Sequence, residues 1–271
     1  MLDSWKGELE RFVAGARQRT PTELINGIRD IGLAMGHEAG EALLDGHPEL
    51  FSYRPMLTRA FIEMVHAQDA AEIRQMLDVK QPTSFGQIAA EKTTIGVMSS
   101  KDAYKRLDEV FEHVDFIRCR RAVMVGCGGR PFTMLRIHDQ TTAPEIIGLD
   151  IVPEAVETAN IVAAKLGYTR CHAEFRDGRD YDYRGAQVVY VASMVSPKTG
   201  VVSRIADTAP PDLQLVLWEP YSLARLWSER AEETLDPRLE VVGRTRVSRN
   251  MTRDVFVRFR PDAAVMRASE G

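Results

Sequence analysis

Up to about residue 115, apolar side chains recur at the 3.6-residue spacing of amphipathic helices. Leu2, Trp5, Leu9, Phe12, Val13 and Ala16 make one stripe, and Leu24, Ile25, Ile28, Ile31 and Met35 the next. Between them, Thr20-Pro21-Thr22-Glu23 has the form of a helix start: a capping hydroxyl, a proline suited to the first turn, and a glutamate that completes the capping box. Leu57, Phe61, Met64 and Val65 form a further face. Asp69-Ala70-Ala71-Glu72 repeats the capping spacing and predicts a new helix start ahead of Ile73, Met76 and Leu77. Tyr104, Leu107, Val110, Phe111, Val114 and Ile117 form the last helical stripe. The stretch 81–100, broken by Pro82, Gly86 and Gly96, is the least regular; it reads first as a connecting loop, with a substrate loop as the alternative.

From Arg120 the period changes. Short β-rich runs at Ala122–Val125, Glu145–Leu149, Cys171–Phe175, Gln187–Val191 and Leu213–Trp218 alternate with helical patterns such as Pro153–Leu166 and Thr199–Ala206. That alternation predicts a parallel sheet covered by helices. Two last runs, Leu239–Val247 and Asp254–Arg260, predict an antiparallel hairpin turning near Asn250, and the tail after Pro261 is expected to fray. The expected class is α/β: an N-terminal all-helical domain over residues 1–118 and a Rossmann-like domain over 119–271.

Composition narrows the function. The 271 residues carry 35 Lys+Arg against 39 Asp+Glu, a net charge of −4, which gives no basic face for nucleic acid. Three widely spaced cysteines, Cys119, Cys127 and Cys171, exclude a disulfide scaffold and a Cys-x-x-Cys metal site. The N-terminus lacks the order of a signal peptide and no run of 18 apolar residues occurs, so a soluble cytoplasmic protein without membrane contact is expected.

The sharpest motif is Val123-Met124-Val125-Gly126-Cys127-Gly128-Gly129-Arg130-Pro131-Phe132, a buried strand ending in a glycine turn that opens into a helix. Glycine there permits the tight turn and lets backbone approach a ligand. Asp150 closes the next strand 24 residues after Gly126, where an acid can accept hydrogen bonds from both ribose hydroxyls. Asp177 and Gly178 follow the third strand, suited to an adenine amino group. Each piece has a structural alternative: a plain strand–helix turn, a helix cap ahead of Pro153, a surface turn. Their order at successive strand ends favours a nucleoside site. A dinucleotide site wants a third glycine where Pro131 and Phe132 stand, so the better fit is the class I S-adenosylmethionine-dependent transferase fold, which has no pyrophosphate to cradle.

The segment Gly126 to Leu135 resembles the Gly-Ser-Gly-Pro-Leu-Pro-Leu-Thr-Ser segment of nicotianamine synthases. Asp150-Ile151-Val152 with Ala159-Asn160, the run Val188 to Val195 followed by Lys198, Tyr221 to Trp227, and Glu41-Ala42-Leu43-Leu44-Asp45-Gly46-His47 are similar to further segments of that family. The short chain looks most like the bacterial branch that makes opine-type metallophores, the staphylopine- and pseudopaline-like pathways. The resemblance implies transfer of one aminobutanoate unit from the co-substrate S-adenosylmethionine to the amine of histidine, without a metal. It implies Gly126, Cys127, Gly128, Pro131, Asp150, Ile151, Asp177, Gly178, Ala192, Ser193 and Met194 as the nucleoside site. The helical domain would act as lid and acceptor pocket. The expected partners are the histidine acceptor, a second copy of the chain in a homodimer, and a downstream opine dehydrogenase-type enzyme. The family's tyrosine pair has no clear counterpart, since Ile95, Val97 and Met98 lie where it is expected.

The acceptor amine must lose a proton before it attacks, and a carboxylate in a partly apolar pocket is the natural base. Glu41 is the first candidate by position, Glu38 the next and Glu91 the third, each with a solvated or ion-paired face as the alternative. Tyr53 and Arg54 are candidate partners for the substrate carboxylate. His37, Glu41 and His47 lack the second histidine of a His-Glu-x-x-His site, so no metal is expected. Cys127 reads as a small turn residue, and the arginines between Arg244 and Arg260 as a solvated strand face. The rival functions are an ordinary small-molecule methyltransferase and a non-catalytic S-adenosylmethionine sensor.

Overall fold

The computed structural model describes residues 2–78 and 100–262. Among the described residues, these α-helices come first: α1 (Leu2–Ala14), α2 (Pro21–Met35), α3 (His37–Gly46), α4 (Arg54–Leu77) and α5 (Ser100–His113). There follow β1 (Arg121–Val125), α6 (Phe132–Gln140), β2 (Glu145–Asp150), α7 (Pro153–Leu166), β3 (Cys171–Phe175), β4 (Val188–Val191), α8 (Lys198–Thr208), β5 (Gln214–Pro220), β6 (Leu239–Arg244) and β7 (Thr252–Phe259).

The capping box of α2 forms as its sequence predicts: the Glu23 amide donates to Thr20 Oγ1 (3.2 Å) and the Thr20 amide to Glu23 Oε2 (2.8 Å). The second predicted start does not form. Neither glycine nor proline interrupts the chain between Pro55 and Leu77, so α4 runs unbroken through Asp69. Three positions apart on a continuous helix, Asp69 and Glu72 share a face, and both turn to Arg130 instead of capping.

The sheet order is β3-β2-β1-β4-β5-β7-β6, with β7 antiparallel to both β5 and β6 and the other pairings parallel. β1 and β4 are apolar at nearly every position because helices cover both faces. On one face Met124, Tyr190, Val216 and Phe256 pack with Leu107 and Val110 of α5, Met134 and Leu135 of α6, and Val162 of α7. On the other, Val123, Val125, Val189, Val191, Leu215 and Leu217 pack with Val201, Val202 and Ile205 of α8. Although it precedes β1, α5 therefore builds the core of the sheet. The predicted strand 239–247 stops at Arg244, and residues 245–251 carry the chain to β7.

A third core joins the helical half to the chain after β5: Leu24, Ile25, Ile28, Leu43, Leu44, Leu57 and Met64 enclose Leu223, Leu226, Trp227 and Met251. The fit is close enough that a Cβ on Gly40 would fall 1.9 Å from Ser222 Oγ. Lys198 and Glu219, both fully buried, pin the end of β5. The Lys198 ammonium donates to the carbonyls of Trp218 (2.9 Å) and Glu229 (3.2 Å), while burial pushes the Glu219 carboxyl up to about 7. Lys198, which resemblance singled out, thus supports the sheet edge of the site.

Candidate functional site

The carboxyl ends of β1, β2, β3 and β4 meet at one edge, where ligands bind in open α/β sheets. After Val125 the chain turns at Gly126 (φ +76°) and Gly128 (φ +63°), both in the left-handed region that glycine enters without penalty. A Cβ on Gly126 would lie 2.7 Å from Val195 Cγ2, so the position is glycine for space as well. The Gly126 and Cys127 amides donate to the Leu149 carbonyl (2.8 and 3.1 Å), which ties the turn to β2. Pro131 sits immediately before α6.

Asp150 is held by two backbone amides, Gly128 to Oδ2 (2.8 Å) and Val152 to Oδ1 (3.0 Å). The carboxylate is thereby fixed at the edge of the turn, with lone pairs left over for ligand hydroxyls. Beside it Ile151 is 61% exposed, and Phe175, opposite Asp150 in the ladder, is 64% exposed. Two large apolar side chains open to solvent at adjacent strand ends form a surface on which a flat heteroaromatic ring would stack. Phe175 was not legible in sequence, because a strand-terminal aromatic reads as core until its exposure is known.

Asp177 bonds the Arg179 guanidinium (Nη2–Oδ2 2.6 Å), which holds its carboxyl below the usual range. A Cβ on Gly178 would meet Val125 Cγ1 at 2.7 Å, and its carbonyl accepts the Tyr183 hydroxyl (2.8 Å). Ala192 and Ser193 are buried and Met194 partly exposed at the end of β4. The Ala192 amide donates to Val125 (3.0 Å), placing that turn beside the glycines. Asn160 accepts from the Ala173 amide (2.8 Å) and donates to its carbonyl (2.9 Å), which fastens α7 to the middle of β3.

Cys127 is 3% exposed, and burial pushes its thiol up to about 12, with the Asp150 charge acting in the same direction. Cys119 and Cys171 are buried likewise, at about 11 and about 12. The native protein is therefore expected to resist iodoacetamide at pH 8 at all three positions. Intact-mass measurement checks this, and an adduct on Cys127 would contradict it.

The sequence-derived acids occupy different settings. Glu41 is clamped: the Ser222 amide and Arg230 Nη2 (2.6 Å) bind Oε1, and Arg225 Nη1 (3.0 Å) binds Oε2. Ser222 adopts φ +54° there, a strained backbone held in place by these contacts. Glu38 is exposed and accepts the Tyr221 hydroxyl at 3.1 Å on both oxygens; burial raises the phenol, and the bond to Glu38 adds to it. Glu91 lies outside the described residues, as do Ile95, Val97 and Met98. Arg54 donates to the Arg225 carbonyl (2.8 Å) and stacks on Phe51, and Tyr53 packs against the helical core. Arg54 thus fastens the helical half to the turn after β5. Of the hairpin arginines, Arg253 leaves the solvated face: its guanidinium lies 4.5 Å over the Tyr221 ring and pairs with Glu232.

One acidic group at the glycine turn escaped sequence reasoning. Arg130, 8% exposed, takes both Glu72 and Asp69 (Nε–Oδ1 3.0 Å) from α4, whose Ile73 also reaches Gly129. Burial raises the Asp69 carboxyl, opposed by Arg130 and reinforced by Glu72. The helical half thereby places two carboxylates against one cation at the mouth of the turn. The i,i+3 acidic spacing is the available signal, and the same spacing also fits a helix cap.

No family model matches the chain, and no curated protein sequence matches it. Among the described residues, no group of three or more His, Cys, Asp or Glu is placed to hold a metal ion, and no helix is long and apolar enough to cross a membrane. Solved structures do match. A single-site mutant of MtNAS, a nicotianamine synthase, in complex with S-adenosylmethionine superposes with a TM-score of 0.75 at 15% identity, over 95% of this chain and 98% of that one. MtNAS in complex with MTA and tNA gives 0.73 at 15% identity over 96% and 98%. The mitomycin 7-O-methyltransferase MmcR gives 0.50 at 17% identity over 76% and 72%. The fold is that of the class I S-adenosylmethionine-dependent methyltransferase-like enzymes.

Proposed function

We propose that this chain transfers the 3-amino-3-carboxypropyl group of S-adenosylmethionine to the amine of an amino acid, histidine by resemblance, and releases methylthioadenosine. The observation that carries this reading is a likeness to MtNAS that runs through the helical half as well as the sheet, over 95% of the chain. The methyltransferase MmcR is matched over 76%. The product would be an opine-type metallophore precursor, to be consumed by an opine dehydrogenase-type enzyme.

The strand-end residues fit a sulfonium nucleoside. Gly126 and Gly128 leave backbone open to its amino-acid end, Asp150 offers an oriented carboxylate to ribose hydroxyls, and Ile151 and Phe175 offer the ring an apolar seat. When bound, S-adenosylmethionine supplies an electrophilic carbon whose bond to sulfur breaks as the electron pair passes to sulfur. The chain decides which of three such carbons is used by holding one of them about 3–3.5 Å from the acceptor nitrogen and in line with it. α4, docked on the turn through Arg130, restricts water and competing nucleophiles.

The same docking supplies the base. At Arg130 two carboxylates from α4 meet one guanidinium beside the glycine turn, and burial raises the Asp69 carboxyl. Glu41 instead accepts from two arginines and an amide, and those arginines also meet Asp45 and Glu233. The proton of the acceptor ammonium is therefore assigned to the Asp69–Glu72 pair, ahead of Glu41 and Glu38.

Incubation with S-adenosylmethionine and amino acids, including both histidine enantiomers, should yield methylthioadenosine and an adduct heavier by one aminobutanoate unit. S-adenosylhomocysteine with a methylated product would overturn the reading in favour of a methyltransferase. Asp150→Ala should weaken S-adenosylmethionine binding by about 1.5–3 kcal/mol, the worth of hydrogen bonds to a charged group. Unchanged calorimetric affinity would remove Asp150 from the site.

A further inference from the structure

Arg106 of α5 lies with its side chain 9% exposed on the sheet face formed by β4, β5 and β7. A single nitrogen makes all of its polar contacts: Nη1 donates to Tyr190 Oη and to both carboxylate oxygens of Asp254, each at 2.5 Å. The Tyr190 hydroxyl in turn donates to Asp254 Oδ1 (2.6 Å), and the guanidinium is stacked 4.3 Å over the Trp218 ring. Nε and Nη2 are buried and have no hydrogen-bond partner among the described residues, and neither has Trp218 Nε1. Leaving one buried donor unsatisfied costs about 1–3 kcal/mol, and here three stand together.

Nε–H and Nη2–H point along the same edge of the guanidinium plane. That edge is the fork that matches the two oxygens of a carboxylate. Every unsatisfied group in the cluster is a donor, so the missing partner is an acceptor. Its place fits a substrate. Tyr190 lies two residues before Ala192 on β4, about 7 Å along the strand from the turn that lines the nucleoside site. Asp254 already balances the Arg106 charge. A zwitterion can add its carboxylate without leaving net charge buried, because it brings its own ammonium.

We propose that the free edge of Arg106, with Trp218 Nε1, is the receptor for the α-carboxylate of the acceptor amino acid. The proposal rests on the aminocarboxypropyl-transfer reading for the identity of the acceptor, but the carboxylate requirement can be measured without turnover. Arg106→Lys keeps a cation for Asp254 and Tyr190 and removes the fork. Trp218→Phe removes one donor and no charge.

The test is calorimetry on protein saturated with methylthioadenosine, titrated with each common amino acid and D-histidine, then with the carboxamide of the best binder. The wild type should prefer the free acid about 10²-fold, since a site built around a hydrogen-bonded group rejects the analogue lacking it. Arg106→Lys should bring that ratio near one with S-adenosylmethionine affinity unchanged, and Trp218→Phe should reduce it about 3–10-fold, the worth of one lost hydrogen bond. Absence of amino-acid binding, equal binding of acid and amide, or an undiminished ratio in Arg106→Lys would each overturn the proposal. Carboxylate-dependent binding without transfer would sustain the receptor and remove the transferase reading. Transfer that ignores the carboxylate would do the reverse.

Discussion

Asp254→Ala is expected to lower folding stability by about 3–5 kcal/mol, the range for removing one partner of a buried ion pair. Asp254 is fully buried, and its carboxylate is the only counter-charge touching Arg106 among the described residues. Truncation would leave that cation in the sheet core and would deprive the Tyr190 O–H of its acceptor, Asp254. For a chain of this length the loss corresponds to a melting-temperature drop on the order of 10 °C. Tyr190→Phe removes two hydrogen bonds, one from Arg106 and one to Asp254, and no charge, and should cost less, about 1.5–3 kcal/mol. Thermal unfolding of both variants checks the ranking. If Asp254→Ala melts within a few degrees of the wild type, the Arg106 cluster does not hold α5 on the sheet.

The second large effect concerns turnover. Asp69→Asn and Glu72→Gln remove one charge each from the pair on Arg130, and the variant that loses the base should slow transfer about 10²–10⁴-fold. Affinity for S-adenosylmethionine should change little, because neither carboxylate is assigned to the nucleoside. Glu41→Gln should behave differently. It weakens the contacts to Ser222, Arg225 and Arg230 that fasten α3 to the chain after β5, so its main cost should appear in the melting temperature. Single-turnover rates set beside melting temperatures separate the two. A normal rate in both Asp69→Asn and Glu72→Gln, with a collapse in stably folded Glu41→Gln, would return the base to Glu41.

Local pattern was enough for several elements. The capping box at Thr20, the glycine turn after β1 and the acid closing β2 each depend on residues a few positions apart, whose backbone demands are met within one turn or strand end. The five-run alternation of strand and helix, with a hairpin at the end, was legible for the same reason: periodicity reports which face of each element is buried. It gave the layers and the edge at which the site lies.

Pairing over long separations was not legible. Asp69 and Glu72 have the spacing of a helix start, and the same spacing also sets two carboxylates on one face of a continuous helix. The choice is made by Arg130, 58 residues beyond Glu72. Arg106 and Asp254 lie 148 residues apart and meet only because α5 crosses strands whose order places β7 beside β5. Glu41, the first candidate base by position, meets Arg225 and Arg230 from the other half of the chain, which no local spacing foretells. By itself the sequence determined most of the elements, the α/β layering and the sheet edge that carries the glycine turn and Asp150, because those follow from local backbone preference and apolar periodicity. Which charged groups meet one another was decided only by the tertiary structure, because electrostatic pairing depends on distance in space and leaves no period along the chain.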